Sequence, residues 1–183
     1  MSQNIEIKAT VPDAHVLKSK LIQYGLSEDC TMHQKDIFYH FPFGRLKLRS
    51  INENQHEIII YFRRNKETPK ASKYFRMKIG YPDFTNRILT NLFGVRGIVE
   101  KERVLFLKNN IRFHVDTVKN LGTYFEIEYI VEDAKDEQNA YIQVKKLLNT
   151  LGILDSQLIR GSYIDILSKS TRINQEKLKL RES

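Results

Sequence analysis

The stretch 101–128, KERVLFLKNNIRFHVDTVKNLGTYFEIE, decides how the rest of the chain is read. With a period of two, Lys101, Arg103, Arg112, His114, Asp116, Glu126 and Glu128 fall on one face, and Val104, Phe106, Phe113, Val115, Phe125 and Ile127 on the other. Asn109-Asn110 is a tight-turn signal between the first two runs, and Lys119-Asn120-Leu121-Gly122 joins the second to the third, so the three runs read as an antiparallel meander. One face is charged and the other is apolar. Cations and acids at that density on one sheet face suit an anionic ligand accompanied by a divalent metal better than an ordinary solvated surface.

The same alternation recurs outward from this stretch. Asn4, Glu6 and Lys8 alternate with Ile5 and Ile7. Pro12-Asp13 opens a helix in which Ala14, Leu17, Leu21 and Tyr24 recur at helical spacing, and Gly25 stops it. A strand over 31–41 turns at Pro42-Phe43-Gly44 into Arg45-Leu46-Lys47-Leu48-Arg49, where three cations share a face. Strands over 57–64 and 72–79 follow, joined by a polar connection that contains Pro69, and the second carries Tyr74, Arg76 and Lys78. A short helix over 83–93 has Phe84, Ile88 and Leu92 as its apolar stripe before Gly94. A longer helix over 135–151, capped by Asp133, buries Ala140, Val144, Leu147, Leu148 and Leu151. Residues 161–167 make a closing apolar element, and 168–183 read as a charged tail, mobile or a solvated helix.

About eight strands with few helices between them predict an α+β fold that is mostly antiparallel. Three helices, each with an apolar stripe, would cover the outer face and leave the charged faces inside; a closed sheet of eight strands can hold one small ligand. The expectation is one tunnel domain over 1–167 and a tail over 168–183.

Composition sets the bounds. A chain of 183 residues, 41% hydrophobic and 28% charged, has the material for one domain with a core. Its net charge of +8 calls for an anionic partner, although charge alone does not separate nucleic acid, acidic lipid and a small polyphosphate. The absence of any recognisable helical or aromatic-sheet motif argues against nucleic acid. The single cysteine, Cys30, excludes an internal disulfide, and with five scattered histidines it argues against zinc and for a reducing compartment, cytoplasm or nucleus. No apolar run approaches the roughly 20 residues of a membrane span.

The basic candidates for holding phosphate are Lys8, Arg45, Lys47, Arg49, Arg63, Lys78, Lys101, Arg103 and Arg112. Alternating Lys and Arg also mark solvated faces and protected edges. Crowding speaks for a ligand, because like charges on neighbouring strands repel and phosphate oxygens match Arg forks. The acids Glu6, Asp116, Glu126 and Glu128 are candidates for binding Mg²⁺ or Mn²⁺, which couple one or two carboxylates to substrate phosphates; salt-bridging to adjacent cations is the equal alternative. His114 reads as a base or, more commonly, a hydrogen-bonding neighbour.

At NIEIKA, Arg45-Leu46-Lys47-Leu48-Arg49, Glu100-Lys101-Glu102-Arg103, HVDTVKNLGTYFEIE and the late GSYIDIL, the chain resembles the CYTH family of triphosphate tunnel metalloenzymes. That family includes class IV adenylyl cyclases and thiamine triphosphatases. The resemblance implies an eight-stranded antiparallel tunnel whose cations hold a triphosphate and whose acids hold one or two divalent metals. It implies catalytic roles for Glu6, Lys8, Asp116 and Glu126, with Glu6, Asp116, Glu126 and Glu128 as metal ligands. Asn4 stands where the family's Glu-x-Glu-x-Lys has its first glutamate, which removes one negative charge from the metal site. The expected function is metal-dependent hydrolysis of tripolyphosphate or a triphosphate-bearing small molecule. The alternatives are an adenylyl cyclase acting on a nucleoside triphosphate and a polyphosphate-binding module without turnover.

Overall fold

The computed structural model describes residues 2–63, 70–131, 136–159 and 161–169. The strands are β1 (Ser2–Thr10), β2 (Glu28–Tyr39), β3 (Arg45–Ile51), β4 (Gln55–Arg63), β5 (Lys70–Ile79), β6 (Val95–Lys108), β7 (Ile111–Val118) and β8 (Gly122–Val131). They close into a barrel in the order β1-β5-β4-β3-β2-β6-β7-β8, with every pairing antiparallel. The helices are α1 (Ala14–Gln23), α2 (Pro82–Phe93), α3 (Glu137–Thr150) and α4 (residues 163–169). The class is α+β, as the alternation requires.

On one face of β1, β6, β7 and β8 apolar side chains point outward. Ile5, Phe106, Phe113 and Ile127 have no exposed surface, and they share one core with Leu17 and Leu21 of α1 and with Ala140, Val144, Leu147 and Leu148 of α3. Each such aliphatic or aromatic side chain contributes about 1.5–3 kcal/mol by leaving water. The first turn of α1 is held by Asp13, whose Oδ1 accepts from the His15 N–H at 2.7 Å; past its last turn Gly25 takes φ 86°, a left-handed turn that glycine adopts without strain. Asn109 at φ 54° makes the β6–β7 turn, using the tolerance of asparagine for that region.

One expectation is corrected here, and two others lie partly outside the described residues. The stripe Phe84, Ile88 and Leu92 of α2 does not face the barrel: these residues are 64%, 41% and 68% exposed. The Tyr39 hydroxyl donates to Asn86 Oδ1 at 2.8 Å, which turns the face carrying Asn86, Leu89 and Phe93 onto Tyr39, Leu46 and Leu48. The helix α3 begins at Glu137, preceded by Asp136; Asp133 lies outside the described residues. Finally, the closing element is a fourth helix that continues through Ser168 and Lys169, while 170–183 lie outside the described residues.

α4 closes one end of the barrel. Tyr163 and Ile164 pack with Phe38, Val99, Val118 and Tyr124. Gly97 makes room for this, since a Cβ there would stand 2.6 Å from Ile164 Cδ1. Asp165 ties α4 to two strands by accepting from Arg45 and Arg96, each at 2.6 Å. We call this end the floor and the opposite one, where β1 begins and β3 turns into β4, the mouth.

Candidate functional site

The charged faces meet inside the barrel around a cavity of about 430 Å³. Its described lining carries seven cations, Lys8, Lys47, Arg49, Arg76, Lys101, Arg103 and Arg112, against five acids, Glu6, Asp36, Glu57, Glu126 and Glu128, so the bore favours an anion.

Two constructions of the same kind stand in the bore. On β3, Lys47 Nζ lies 2.7 Å from Asp36 Oδ2, and the Arg49 fork grips the same carboxylate through Nε at 2.6 Å and Nη2 at 2.7 Å. On β6, Lys101 Nζ lies 2.9 Å from Asp116 Oδ2, and the Arg103 fork grips Asp116 through Nε and Nη2, both at 2.6 Å. In each, a Lys-x-Arg pair on one strand faces a single aspartate on the next, through the register pairs Arg49–Asp36 and Arg103–Asp116. Arg103 Nη2 also reaches Glu126 Oε2 at 2.7 Å, and Lys8 Nζ pairs with Glu126 Oε1. The Tyr163 hydroxyl donates to Asp116 Oδ2 at 2.7 Å. Each bidentate Arg–carboxylate contact fixes the guanidinium plane as well as its charge.

Proton affinities follow from burial and these partners. Burial would raise the Asp36 carboxyl, but the Arg49 and Lys47 charges overcome it and hold the group well below the usual carboxylate range; burial is likewise overcome at Asp116 by Arg103 and Lys101. Burial and the neighbouring Arg49 bring Lys47 down to about 8, and burial and Arg103 bring Lys101 down to about 7. His114 is lowered by burial and Arg103, which favours the neutral imidazole. Tyr163 is pushed well above its ordinary value by burial, then by Asp116 and Glu126, so it stays a hydroxyl donor.

A family model described as CYTH domain matches residues 2–163. The chain belongs to the CYTH domain family. A protein of Methanocaldococcus jannaschii named "Putative adenylate cyclase MJ0240" is 23% identical over 172 residues, 88% of this chain and 97% of its own. The PH1012 protein from Pyrococcus horikoshii has a TM-score of 0.79 at 22% identity, covering 90% of this chain and 98% of that one. HpAC1 from Hippeastrum, of which a dominant triphosphatase activity is stated, has a TM-score of 0.64 at 14% identity, covering 93% of this chain and 96% of that one. These structural likenesses carry the tunnel architecture across to this CYTH chain.

A divalent metal fits one corner of the CYTH bore. The ligand atoms of His114, Glu126 and Glu128 lie within 4.8 Å of one another, and His114 Nδ1 is buried without a hydrogen-bond partner, 3.5 Å from Glu126 Oε2. One imidazole nitrogen and two carboxylates form a donor set of the kind that holds a divalent cation. Glu6 stands opposite Glu128 in the β1–β8 register and lines the same cavity. Asp116 is placed differently: it has no exposed surface and sits behind Lys101, Arg103 and Tyr163 as an anchor for cations.

Of the cations expected to hold phosphate, Lys8, Lys47, Arg49, Lys101, Arg103 and Arg112 line the cavity. Arg45 is bound to Asp165 instead, Lys78 is exposed at the end of β5 outside the lining, and the side chain of Arg63 lies outside the described residues. Asp36, Glu57, Arg76 and Tyr163 belong to the site although the strand pattern does not mark them for it. Alternation puts Asp36 on the face of Gln34 and Phe38, and the signal that makes it the partner of Arg49 is the hairpin turn at Pro42-Phe43-Gly44. Among the described residues no helix is long and apolar enough to cross a membrane.

Proposed function

We propose that the tunnel binds inorganic tripolyphosphate or the triphosphate of a small molecule and hydrolyses it with Mg²⁺ or Mn²⁺. The observation that carries this reading is the repeated Lys-x-Arg pair with one aspartate behind it. With its lysine protonated, each pair keeps one positive charge beyond what its aspartate cancels, and the forks hold it in a fixed orientation toward one cavity. Phosphate oxygens complete those donors.

Lys47, Arg49, Lys101, Arg103 and Lys8 would neutralise the phosphate oxygens and the charge that develops on the leaving group. Because Asp36 and Asp116 already orient the two Lys-x-Arg pairs, these need little reorganisation during reaction. A metal held by His114, Glu126 and Glu128, with Glu6 adjacent, would supply Lewis acidity and further neutralisation. Water adds to the terminal phosphorus in line, the bridging P–O bond breaks, and the diphosphate product leaves with its negative charge against the Lys-x-Arg pairs.

The test is phosphate release from tripolyphosphate and from ATP with Mg²⁺ or Mn²⁺. Release that Glu126→Ala abolishes is the expected result; release unchanged by Glu126→Ala would overturn the assignment. Cyclic AMP from ATP in the same assay would move the activity to cyclisation, in which the 3′-hydroxyl attacks the α-phosphorus and pyrophosphate leaves. A second reading, binding without turnover, is favoured by Asn4 and by the commitment of Asp116 and Glu126 to cations. Tight calorimetric binding of tripolyphosphate without metal and without phosphate release would select it.

A further inference from the structure

The seam between β1 and β5 is staggered, and its two ends are finished differently. The register runs from Ser2–Tyr74 to Glu6–Lys70, so β1 overhangs the seam with residues 7–10 at the floor and β5 overhangs it with residues 75–79 at the mouth. The floor overhang is covered. There the Ile159 N–H donates to the Lys8 carbonyl at 2.9 Å, Leu158 bridges Ala9, and the Gln157 side-chain amide donates to the Thr10 carbonyl at 3.1 Å. The mouth overhang has no such cover. β4 flanks it on one side through the pairs Ile60–Phe75 to His56–Ile79, and among the described residues no strand flanks it on the other. Closing a sheet into a barrel removes its edges; this stagger restores one, roughly 17 Å long.

The two faces of the overhang differ in chemistry. Phe75 and Met77 point outward and are 50% and 46% exposed. Arg76 turns to the bore with its side chain 52% exposed, and Lys78 stands exposed on the same face. Half-exposed apolar side chains beside an unpaired backbone are what an added strand completes, by covering the one and bonding the other. The charges select the strand. Antiparallel self-pairing over the whole overhang would centre on Met77 and set Arg76 against Lys78 of a second copy, and like charges directly opposite destabilise a ladder. The edge is guarded against its own kind and left to a strand of opposite sign.

We infer that residues 75–79 are a docking edge for an extended acidic peptide of a partner protein, which adds to β5 and sets apolar residues beside Phe75 and Met77 and carboxylates beside Arg76 and Lys78. The main-chain ladder supplies affinity, and the alternating side chains supply specificity. Arg76 is half-satisfied as it stands, with Glu57 at 3.7 Å, so a carboxylate on the added strand gives it a closer partner. Within 75–79 only Arg76 lines the cavity, and the docking does not depend on what the bore holds.

The probe is a synthetic peptide of about nine residues alternating valine with glutamate, followed by fluorescence anisotropy on the full chain at low ionic strength. One control replaces glutamate by lysine. The other carries two consecutive prolines at its centre, one of which takes an N–H from the ladder whichever side the peptide presents. The glutamate peptide should bind at least tenfold more tightly than either control. Lys78→Glu, at an exposed position outside the cavity lining, should weaken it about fivefold or more and strengthen the lysine peptide. Hydrogen exchange should show new protection of amides within 75–79 that saturating tripolyphosphate leaves in place. Equal binding of the glutamate and diproline peptides, protection confined to bore-lining residues of other strands, or no binding at ~1 mM peptide overturns the inference. Protection of 75–79 that rises with protein concentration and needs no peptide also overturns it, and gives the edge to a second copy.

Discussion

The Tyr163 hydroxyl donates to Asp116 Oδ2 at 2.7 Å, joining the first residue of α4 to the carboxylate that anchors the Lys101–Arg103 pair. The plug of the barrel and the anion site are therefore one hydrogen-bonded unit. Tyr163→Phe should lower stability by about 1–2 kcal/mol, since Asp116 keeps its cations and loses one donor. For a chain of this size that is a fall in Tm of roughly 2–8 °C, read by thermal denaturation. An unchanged Tm would mean that α4 is not fastened through Asp116.

Asp116→Asn should be far more costly, about 3–5 kcal/mol, because it strands buried Lys101 and leaves buried Arg103 with Glu126 alone, which Lys8 already shares. Asp36→Asn frees Lys47 and Arg49 in the same way. The unliganded Asp36→Asn protein should melt earlier than the parent, yet tripolyphosphate should raise its Tm by more. Equal ligand-induced shifts in the two proteins would show that the β3 pair does not face the anion.

The lysines predict opposite pH trends for binding and stability. Lys101 near 7 and Lys47 near 8 lose their protons as pH rises from 7 to 9, whereas a triphosphate, with a terminal pKa near 6, keeps constant charge there. Its affinity should fall across that window, measured by calorimetry in matched ionic strength. For the unliganded protein the sign reverses. These groups sit near 10.5 when unfolded, so between about pH 7 and 10 the unfolded chain binds more protons and their contribution to stability grows with pH.

Metal binding should depend on His114 and Glu128 directly. His114→Ala or Glu128→Gln should weaken Mn²⁺ binding at least tenfold in a titration followed by electron paramagnetic resonance. Asn4→Glu should strengthen it by adding a carboxylate on the face of Glu6. Mn²⁺ affinity indifferent to all three changes would remove the metal from this corner of the bore.

The outer face of α2 makes a sharper contrast. Phe84→Ser, on the exposed stripe, should change stability by no more than about 0.5 kcal/mol, while Phe93→Ala, against the barrel, should cost roughly 1–3 kcal/mol. Urea unfolding of the two variants distinguishes the faces. Equal losses would mean that both sides of α2 are packed.

The alternation along 4–8, 45–49, 101–103, 112–116 and 126–128 was enough to give each strand one charged and one apolar face, because a strand's period of two assigns every side chain to a face; a closed tunnel with the charge inside was what the CYTH resemblance implied. It also determined the outward core of Ile5, Phe106, Phe113 and Ile127 and the helices that cover it. What the period does not carry is partnership. β1 lies beside β5 and β8, and β2 beside β6, pairings between segments distant in sequence. Hairpin register brings Asp36 to Lys47 and Arg49 and Asp116 to Lys101 and Arg103, whereas only closure sets Asn4 and Gln34 on opposite walls of one cavity. The docked face of α2 was likewise decided in three dimensions, since helical spacing alone allows either the Phe84 or the Phe93 stripe and the Tyr39–Asn86 hydrogen bond selects between them. α4 follows the same logic: a short apolar segment near the end of the chain becomes the floor of the tunnel because Gly97 leaves space for Ile164 and two arginines from separate strands meet Asp165.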